Sequence, residues 1–218
     1  MSKSIIPNTP NEKDYASSQS SDLGWIDSKD PVSLFSNWLS EAIATETNDA
    51  NAMSVATVDK NGMPDVRVVL LKDIDHRGFV FYSNSESTKG QQLNFSNKVA
   101  LGFHWKSKKR QVRVRGNAEV VASIEADAYF ASRARGSRIS AWASHQSRPV
   151  KDRRTMMKEL SETEARFEGT SVPRPGHWLG WRVKPEYIEF WQDGAYRFHD
   201  RIVFSLTSDG WVKSRLYP

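Results

Sequence analysis

The sequence contains no cysteine. Disulfides, thiolate catalysis and cysteine-based zinc or iron–sulfur sites are thereby excluded. No window of about 18 apolar residues occurs, so no membrane-spanning helix is expected. The opening residues 1–7 carry no apolar run long enough for a signal peptide, and a soluble cytoplasmic protein is the expectation. A glycine-rich phosphate loop, a G-x-G-x-x-G and a G-x-S-x-G elbow are all missing. The five histidines, at 76, 104, 145, 177 and 199, have no metal-ligand spacing, so no metal site is expected. Hydrolase and metalloenzyme readings therefore start with little support.

What is present is a chain of 218 residues, enough for one fairly large domain with a sizeable core. Only 38% of the residues are hydrophobic, but eight Trp, six Tyr and ten Phe compensate with large buried areas. The net charge is +5 and the pI about 9.4. Its cations are spread along the chain, and the densest run, residues 106–110, falls in an expected hairpin loop. Nucleic acid is not the expected partner. Binding several small phosphates is another use for surplus cations.

Residues 1–29 are rich in Ser, Asn and Asp, show no hydrophobic period and read as a mobile arm. Order is expected to begin at Asp30–Pro31, an N-cap followed by proline at the first helical position. Leu34, Phe35, Trp38, Leu39 and Ala42 then share one helical face. Beyond that helix the texture is of strands. Segments 53–58 and 65–71 flank Asn61–Gly62, a hairpin signal because both residues tolerate positive φ. A strand over 78–82 follows, then a hairpin of 99–105 and 111–121, another of 187–191 and 196–204 around Asp193–Gly194, and a last strand over 211–216. Helices are expected over 87–95, over 124–132 after Ser123 as cap, and over 152–168. Successive antiparallel hairpins with a few inserted helices indicate a mainly β, α+β fold, an antiparallel β-barrel decorated by helices.

The residues that can carry chemistry are mostly cations on strands and helix starts. Arg67 and Lys72 bracket an apolar strand. Strand ends are wet and commonly charged, so the pair has an ordinary explanation as well as a functional one. Their separation puts them on opposite faces of a regular strand, so if both serve function they serve different ligand groups, or a bulge redirects one. Lys89 follows Ser85–Glu86–Ser87–Thr88 at a helix start, where free amides and the dipole favour a phosphate, although an ordinary Ser-capped helix looks the same. Tyr129 and Arg133 are four apart on a helix that runs into a turn at Gly136, past which Ser137 reaches the same side. Phenol, guanidinium and hydroxyl make a phosphate clamp, and a surface helix end would look similar. Period-two alternation puts Arg197, His199 and Arg201 on one strand face. That row fits either a ligand anion or an edge strand guarded by charge.

Taken in order, these segments resemble the pyridoxamine 5′-phosphate oxidase family. The resemblance runs from about Asp30 to Pro218. It rests on Arg67–Val68–Val69–Leu70–Leu71–Lys72, Arg110–Gln111–Val112–Arg113–Val114 and Ala141–Trp142–Ala143–Ser144–His145–Gln146–Ser147. Further along it rests on Ile188–Glu189–Phe190–Trp191–Gln192, Arg197–Phe198–His199–Asp200–Arg201 and Arg215–Leu216–Tyr217–Pro218.

The resemblance implies a single split β-barrel domain over residues 30–218, acting as a homodimer with FMN at the subunit interface. By matching segments it places Arg67, Val68, Leu70, Tyr82, Ser83, Lys89, Gln111, Gln146, Ser147, Trp191 and Arg201 against the flavin, with Lys72 bordering it. Arg67 and Lys89 would be the main ligands of its phosphate. Lys72, Tyr129, Arg133 and Ser137 would hold the substrate phosphate. Arg197 and His199 would lie by the pyridine ring, with Asp49 nearby. The implied reaction oxidises pyridoxine or pyridoxamine 5′-phosphate to pyridoxal 5′-phosphate, with O2 as acceptor, giving hydrogen peroxide, and ammonia from the amine.

Two departures stand out: Thr88 occupies a position where many relatives have Arg, and the arm reads Glu12–Lys13–Asp14–Tyr15 where relatives often carry Arg ahead of Tyr. Two other readings share the barrel. One is a flavin oxidase of the phenazine-pathway type, which tends to lose the substrate-phosphate clamp. The other is a non-catalytic flavin- or haem-binding protein, against which the Arg197/His199 pair argues.

Overall fold

The structure, a computed structural model, describes residues 11, 12, 15 and 23–218. Most of the arm expected over 1–29, including Lys13 and Asp14, lies outside the described residues. A short 3-10 turn at Gly24–Asp27 precedes helix α1 (Pro31–Ile43). Strands β1 (Ala52–Val58), β2 (Pro64–Leu70), β3 (Asp73–Asp75) and β4 (Gly78–Asn84) follow. Next come α2 (Thr88–Phe95), β5 (Lys98–Trp105) and β6 (Arg110–Val120), then helices α3 (Ser123–Ser132), α4 (Arg135–Ala143) and α5 (Arg153–Arg166). The chain ends with β7 (Trp178–Gln192), β8 (Asp200–Thr207) and β9 (Gly210–Leu216). Among the described residues no helix is long and apolar enough to cross a membrane.

Local chemistry sets the elements. Asp30 caps α1, accepting from the amides of Val32 at 3.3 Å and Ser33 at 2.9 Å, with Pro31 in the first turn. The β1–β2 hairpin closes where Gly62, at φ +83°, donates to Asp59 O at 3.0 Å. The nine strands among the described residues run in the order β2-β1-β5-β6-β7-β4-β3, with β8 paired to β7 and β9 to β8. The β1–β2, β1–β5, β3–β4, β4–β7, β7–β8 and β8–β9 pairs, from Ala52 opposite Leu70 to Thr207 opposite Gly210, are all antiparallel, as expected. The first half of β7 pairs with β4 and its second half with β8.

Three local expectations are corrected. Ser123 is the first residue of α3 and not its cap; Ala122 holds the cap position without a side-chain bond. Gly136 sits inside α4, and the chain breaks earlier, where Arg133 and Ala134 take extended ψ of 149° and 141°. The strand expected over 196–204 begins only at Asp200, because Tyr196 and Arg197 adopt left-handed φ of 56° and 64° in a 3-10 turn. Arg197, His199 and Arg201 therefore do not share a strand face.

The chain divides into two compact units. One comprises the described residues up to Ala50, with His104–Arg113 and Tyr187–Pro218. Trp38, 1% exposed, meets Trp25 at 4.9 Å and Phe190 edge-on at 5.2 Å. The other comprises Asn51–Phe103 and Val114–Glu186. Its core stacks Phe81 on Trp181 at 5.8 Å and gathers Phe130, Ile139, Phe167, Val172 and Trp178 beneath the helices.

Candidate active site

A cavity of about 1070 Å³ opens in the second unit, and every described residue that lines it belongs to that unit. β2 lies at the sheet edge, so Arg67, Val68, Val69 and Leu70 all border the cavity. Lys72 borders it too, although regular alternation would send it away from Arg67. The reason is that β2 ends at Leu70. Leu71 donates its amide to Asn51 O at 2.8 Å and accepts from Asn51 Nδ2 at 2.8 Å, after which Lys72 N donates to Val80 O.

Lys89 sits in the first turn of α2, whose cap Ser87 accepts from Gly90 N. It is 8% exposed, and its ammonium donates to Gln146 Oε1 at 2.8 Å, Ser83 Oγ at 2.9 Å and Ser87 Oγ at 3.3 Å. None of these acceptors is charged. Burial, reinforced by the charge of Arg67 and opposed by that of Asp65, lowers the Lys89 pKa to about 8. A buried ammonium with no direct carboxylate partner among the described residues, beside a guanidinium on the same cavity, is a site short of negative charge. That is the environment a phosphate ester satisfies. Thr88 is exposed and does not border the cavity.

The remaining wall comes from the helices. Tyr129 near the end of α3 stacks on Tyr82 at 4.3 Å, and Tyr82 on Trp178 at 5.0 Å. Arg133, at the C-cap of α3, lies over Trp178. Its Nη1 is buried with no hydrogen-bond partner among the described residues, and burial weakens its hold on its proton. An orphaned guanidinium nitrogen at a cavity wall is a second place short of an anion. Ser137, in the first turns of α4, borders the same cavity. Gln146 does as well, whereas Ser147, held at φ 71°, lines an adjoining smaller cavity.

The other expected residues belong to the first unit. Trp191 and His199 have ring centroids 4.6 Å apart, and His199 Nδ1 accepts from Gly194 N at 3.1 Å and lies 3.1 Å from Asp193 Oδ1. Arg201 donates through Nε to Glu189 Oε1 at 2.9 Å and through Nη1 to Tyr217 O at 2.8 Å. Glu189 also accepts from Arg113 and, at 2.8 Å, from the Tyr187 hydroxyl. Burial alone would raise the Glu189 pKa, but these three donors outweigh it and hold the carboxyl below its ordinary value. Arg197 is exposed in the left-handed turn, Gln111 lies in β6, and Asp49, at φ 36°, lies exposed in the loop after α1. Sequence reasoning missed Thr57 and Gln92, which brace Arg67, and Trp178, which carries Arg133. None of the three bears a charge or a motif that marks it locally.

An antiparallel sheet with helices at its connections, a cavity at its edge strand and cations short of anions place the protein in the split-barrel class. The family model for pyridoxamine 5′-phosphate oxidase matches residues 39–167, and that for the pyridoxine 5′-phosphate oxidase C-terminal dimerisation region matches 178–218. The chain belongs to the pyridoxamine 5′-phosphate oxidase family. It is 52% identical over 216 residues to a pyridoxine/pyridoxamine 5′-phosphate oxidase of Caulobacter vibrioides, covering 98% of this chain and 97% of that one. A protein of the same description from Agrobacterium fabrum is 54% identical over 196 residues, covering 89% and 95%. Among solved structures, PhzG from Burkholderia lata, in complex with tetrahydrophenazine-1-carboxylic acid, aligns with a TM-score of 0.84 at 28% identity, covering 89% of this chain and 96% of that one.

Proposed function

We propose that the protein is an FMN-dependent oxidase that makes pyridoxal 5′-phosphate. Pyridoxine 5′-phosphate and O2 would give pyridoxal 5′-phosphate and hydrogen peroxide; pyridoxamine 5′-phosphate, O2 and water would give the same products and ammonia. The observation that carries this reading is a single cavity offering two phosphate-receptive sets on different elements. Arg67 and Lys89, with Ser83 and Gln146, form one; Lys72, Tyr129, Arg133 and Ser137 form the other. A phosphorylated cofactor and a phosphorylated substrate in one site need two such sets. The 52% identity to a pyridoxine/pyridoxamine 5′-phosphate oxidase over nearly the whole chain supports the same substrates.

FMN, when bound, supplies the two-electron oxidation and the reaction with oxygen. The protein supplies binding and orientation. Arg67 and Lys89 hold the flavin phosphate, and Val68, Leu70, Tyr82, Ser83, Gln111, Gln146, Ser147, Trp191 and Arg201 surround the remainder. Lys72, Tyr129, Arg133 and Ser137 clamp the substrate phosphate away from the reacting carbon, so remote binding energy aligns that carbon. Arg197 and His199 cover and orient the pyridine ring, with Asp49 beside them. In this reading residues 30–218 function as one domain, in a cytoplasmic homodimer.

A phenazine-type substrate is the second reading, and the likeness to PhzG favours it. The Lys72, Tyr129, Arg133 and Ser137 set argues against it, since a substrate without phosphate leaves Arg133 Nη1 unsatisfied. Aerobic turnover of pyridoxine 5′-phosphate by protein supplied with FMN decides between them. Pyridoxal 5′-phosphate and peroxide in equal amounts are the expected result. Bound FMN without product would overturn the substrate, and failure to bind FMN would overturn the reading altogether.

A further inference from the structure

Asp65 and Arg67 are two residues apart on β2, so their side chains leave the same face. Arg67 stands opposite Val55 and Asp65 opposite Thr57. From the β1 side, Arg67 Nη1 donates to Thr57 Oγ1 at 2.6 Å and to Val55 O at 3.1 Å. From α2, Gln92 Oε1 accepts from Nη2 at 3.2 Å. Thr57 and Gln92 are 0% and 8% exposed and hydrogen-bonded to each other at 2.5 Å. This brace fixes the guanidinium without help from Asp65.

Asp65 Oδ2 takes the remaining Nη2 position at 2.5 Å, from the solvent side, its side chain 46% exposed against 19% for Arg67. Arg67 borders the cavity and Asp65 does not. Of the four acceptors around the terminal nitrogens of Arg67 among the described residues, Asp65 alone carries charge. It is also the acceptor that can swing into water. A phosphate approaching Arg67 for paired hydrogen bonds must free a terminal nitrogen, and Asp65 is the group to displace. The field of Asp65 also reaches Lys89.

We propose that Asp65 is an affinity-setting residue, a resident anion that competes with the cofactor phosphate for Arg67 and holds the site's phosphate affinity below what its cations alone would give. The proposal rests on the FMN reading and adds to it a residue outside the cavity lining. Replacing Asp65 by Asn keeps the shape and removes the charge, while Thr57 and Gln92 keep Arg67 in place.

The test is titration of FMN and of riboflavin, which lacks the phosphate, into flavin-free wild-type, Asp65→Asn and Asp65→Ser protein. FMN is expected to bind the variants about 3- to 10-fold more tightly and riboflavin equally well, the scale of one exposed like charge removed from beside a phosphate. Weaker FMN binding would overturn the proposal by showing that Asp65 orients Arg67. Equal shifts for FMN and riboflavin would overturn it as well. If the wild type binds neither flavin, the FMN reading fails on its own. Inorganic phosphate, read by protection against thermal unfolding, then carries the test. More protection of the variants at equal phosphate supports the competing anion, and equal protection overturns it.

Discussion

The guanidinium of Arg133 lies over the indole of Trp178, its Cζ 5.0 Å from the ring centroid. The same indole stacks on Tyr82, and Tyr82 on Tyr129. One buried ring, 7% exposed, thus sets the position of two groups assigned to the substrate phosphate. A partly desolvated cation–π contact contributes about 1–2 kcal/mol. Trp178→Leu should therefore raise KM for pyridoxine 5′-phosphate about tenfold while kcat changes less than about threefold. Trp178→Phe, which retains a ring, should recover most of the loss. Steady-state kinetics on both variants check this, and a KM unmoved in Trp178→Leu would contradict it.

Lys72 and Arg67 border the same cavity from either side of the point where β2 ends. Their assignments predict opposite phenotypes. Lys72→Ala should raise KM about 10- to 100-fold with FMN retained, the loss expected for one charge-assisted phosphate contact. Arg133→Ala should behave alike. Arg67→Ala should release FMN on gel filtration at unchanged substrate KM once FMN is saturating. Equal loss of FMN from Lys72→Ala would show that the two phosphates are wrongly apportioned.

Lys89 gives the site a pH dependence whose sign is fixed. Its folded pKa is lowered from 10.5 to about 8 by burial, then by Arg67. Between those two values the unfolded chain holds a proton that the folded protein has lost, so the flavin-free protein gains stability as pH rises through that window. Phosphate needs the charged form, so affinity moves the other way. The Kd for FMN should hold nearly constant close to pH 7 and rise above about pH 8, approaching tenfold per unit, as Lys89 loses its proton. Riboflavin should show no such rise, and Lys89→Met should flatten the FMN curve. Fluorescence titrations between pH 7 and about 9.5 read both.

The parts legible in the sequence are those decided within a few residues. Asp30–Pro31 and the apolar face of Leu34, Phe35, Trp38 and Ala42 fix α1 locally, and Asn61–Gly62 marks the first hairpin. The cations Arg67, Lys72, Lys89 and Arg133 were visible for the same reason, and the cavity unites them. What was hidden depends on partners far along the chain. Leu71 leaves the β1–β2 ladder because Asn51, twenty residues earlier, binds both its backbone groups. Thr57 and Gln92 are 35 residues apart, and no periodicity announces that they hold Arg67. The left-handed Tyr196 and Arg197 broke an alternation that looked regular, because their residue types do not mark positive φ as Asn and Gly do.

Gly180 shows how closely the sheet supports the aromatic wall. It stands opposite Tyr82 in the β4–β7 ladder, and a Cβ there would lie 2.6 Å from both Tyr82 Cε1 and Val121 Cγ2. Such distances are well inside van der Waals contact, so one side chain must move. Val121, 7% exposed, and Tyr82 both pack with Val80 and Ala126, but only Tyr82 borders the cavity, so Tyr82 is the one that can move toward open space. Gly180→Ala should tilt the Tyr82 ring into the cavity and disturb its stack with Tyr129 and Trp178. Overpacking of this kind costs about 1–3 kcal/mol, a visible but survivable fall in Tm. FMN affinity and substrate KM should both worsen, because Tyr82 borders the cavity at the proposed cofactor position and stacks on Tyr129 of the proposed substrate clamp. Gly180→Ala combined with Tyr82→Leu, which removes the ring edge, should regain stability relative to Gly180→Ala alone. If the double variant is no more stable than the single one, the strain lies on Val121 and the wall is not its source.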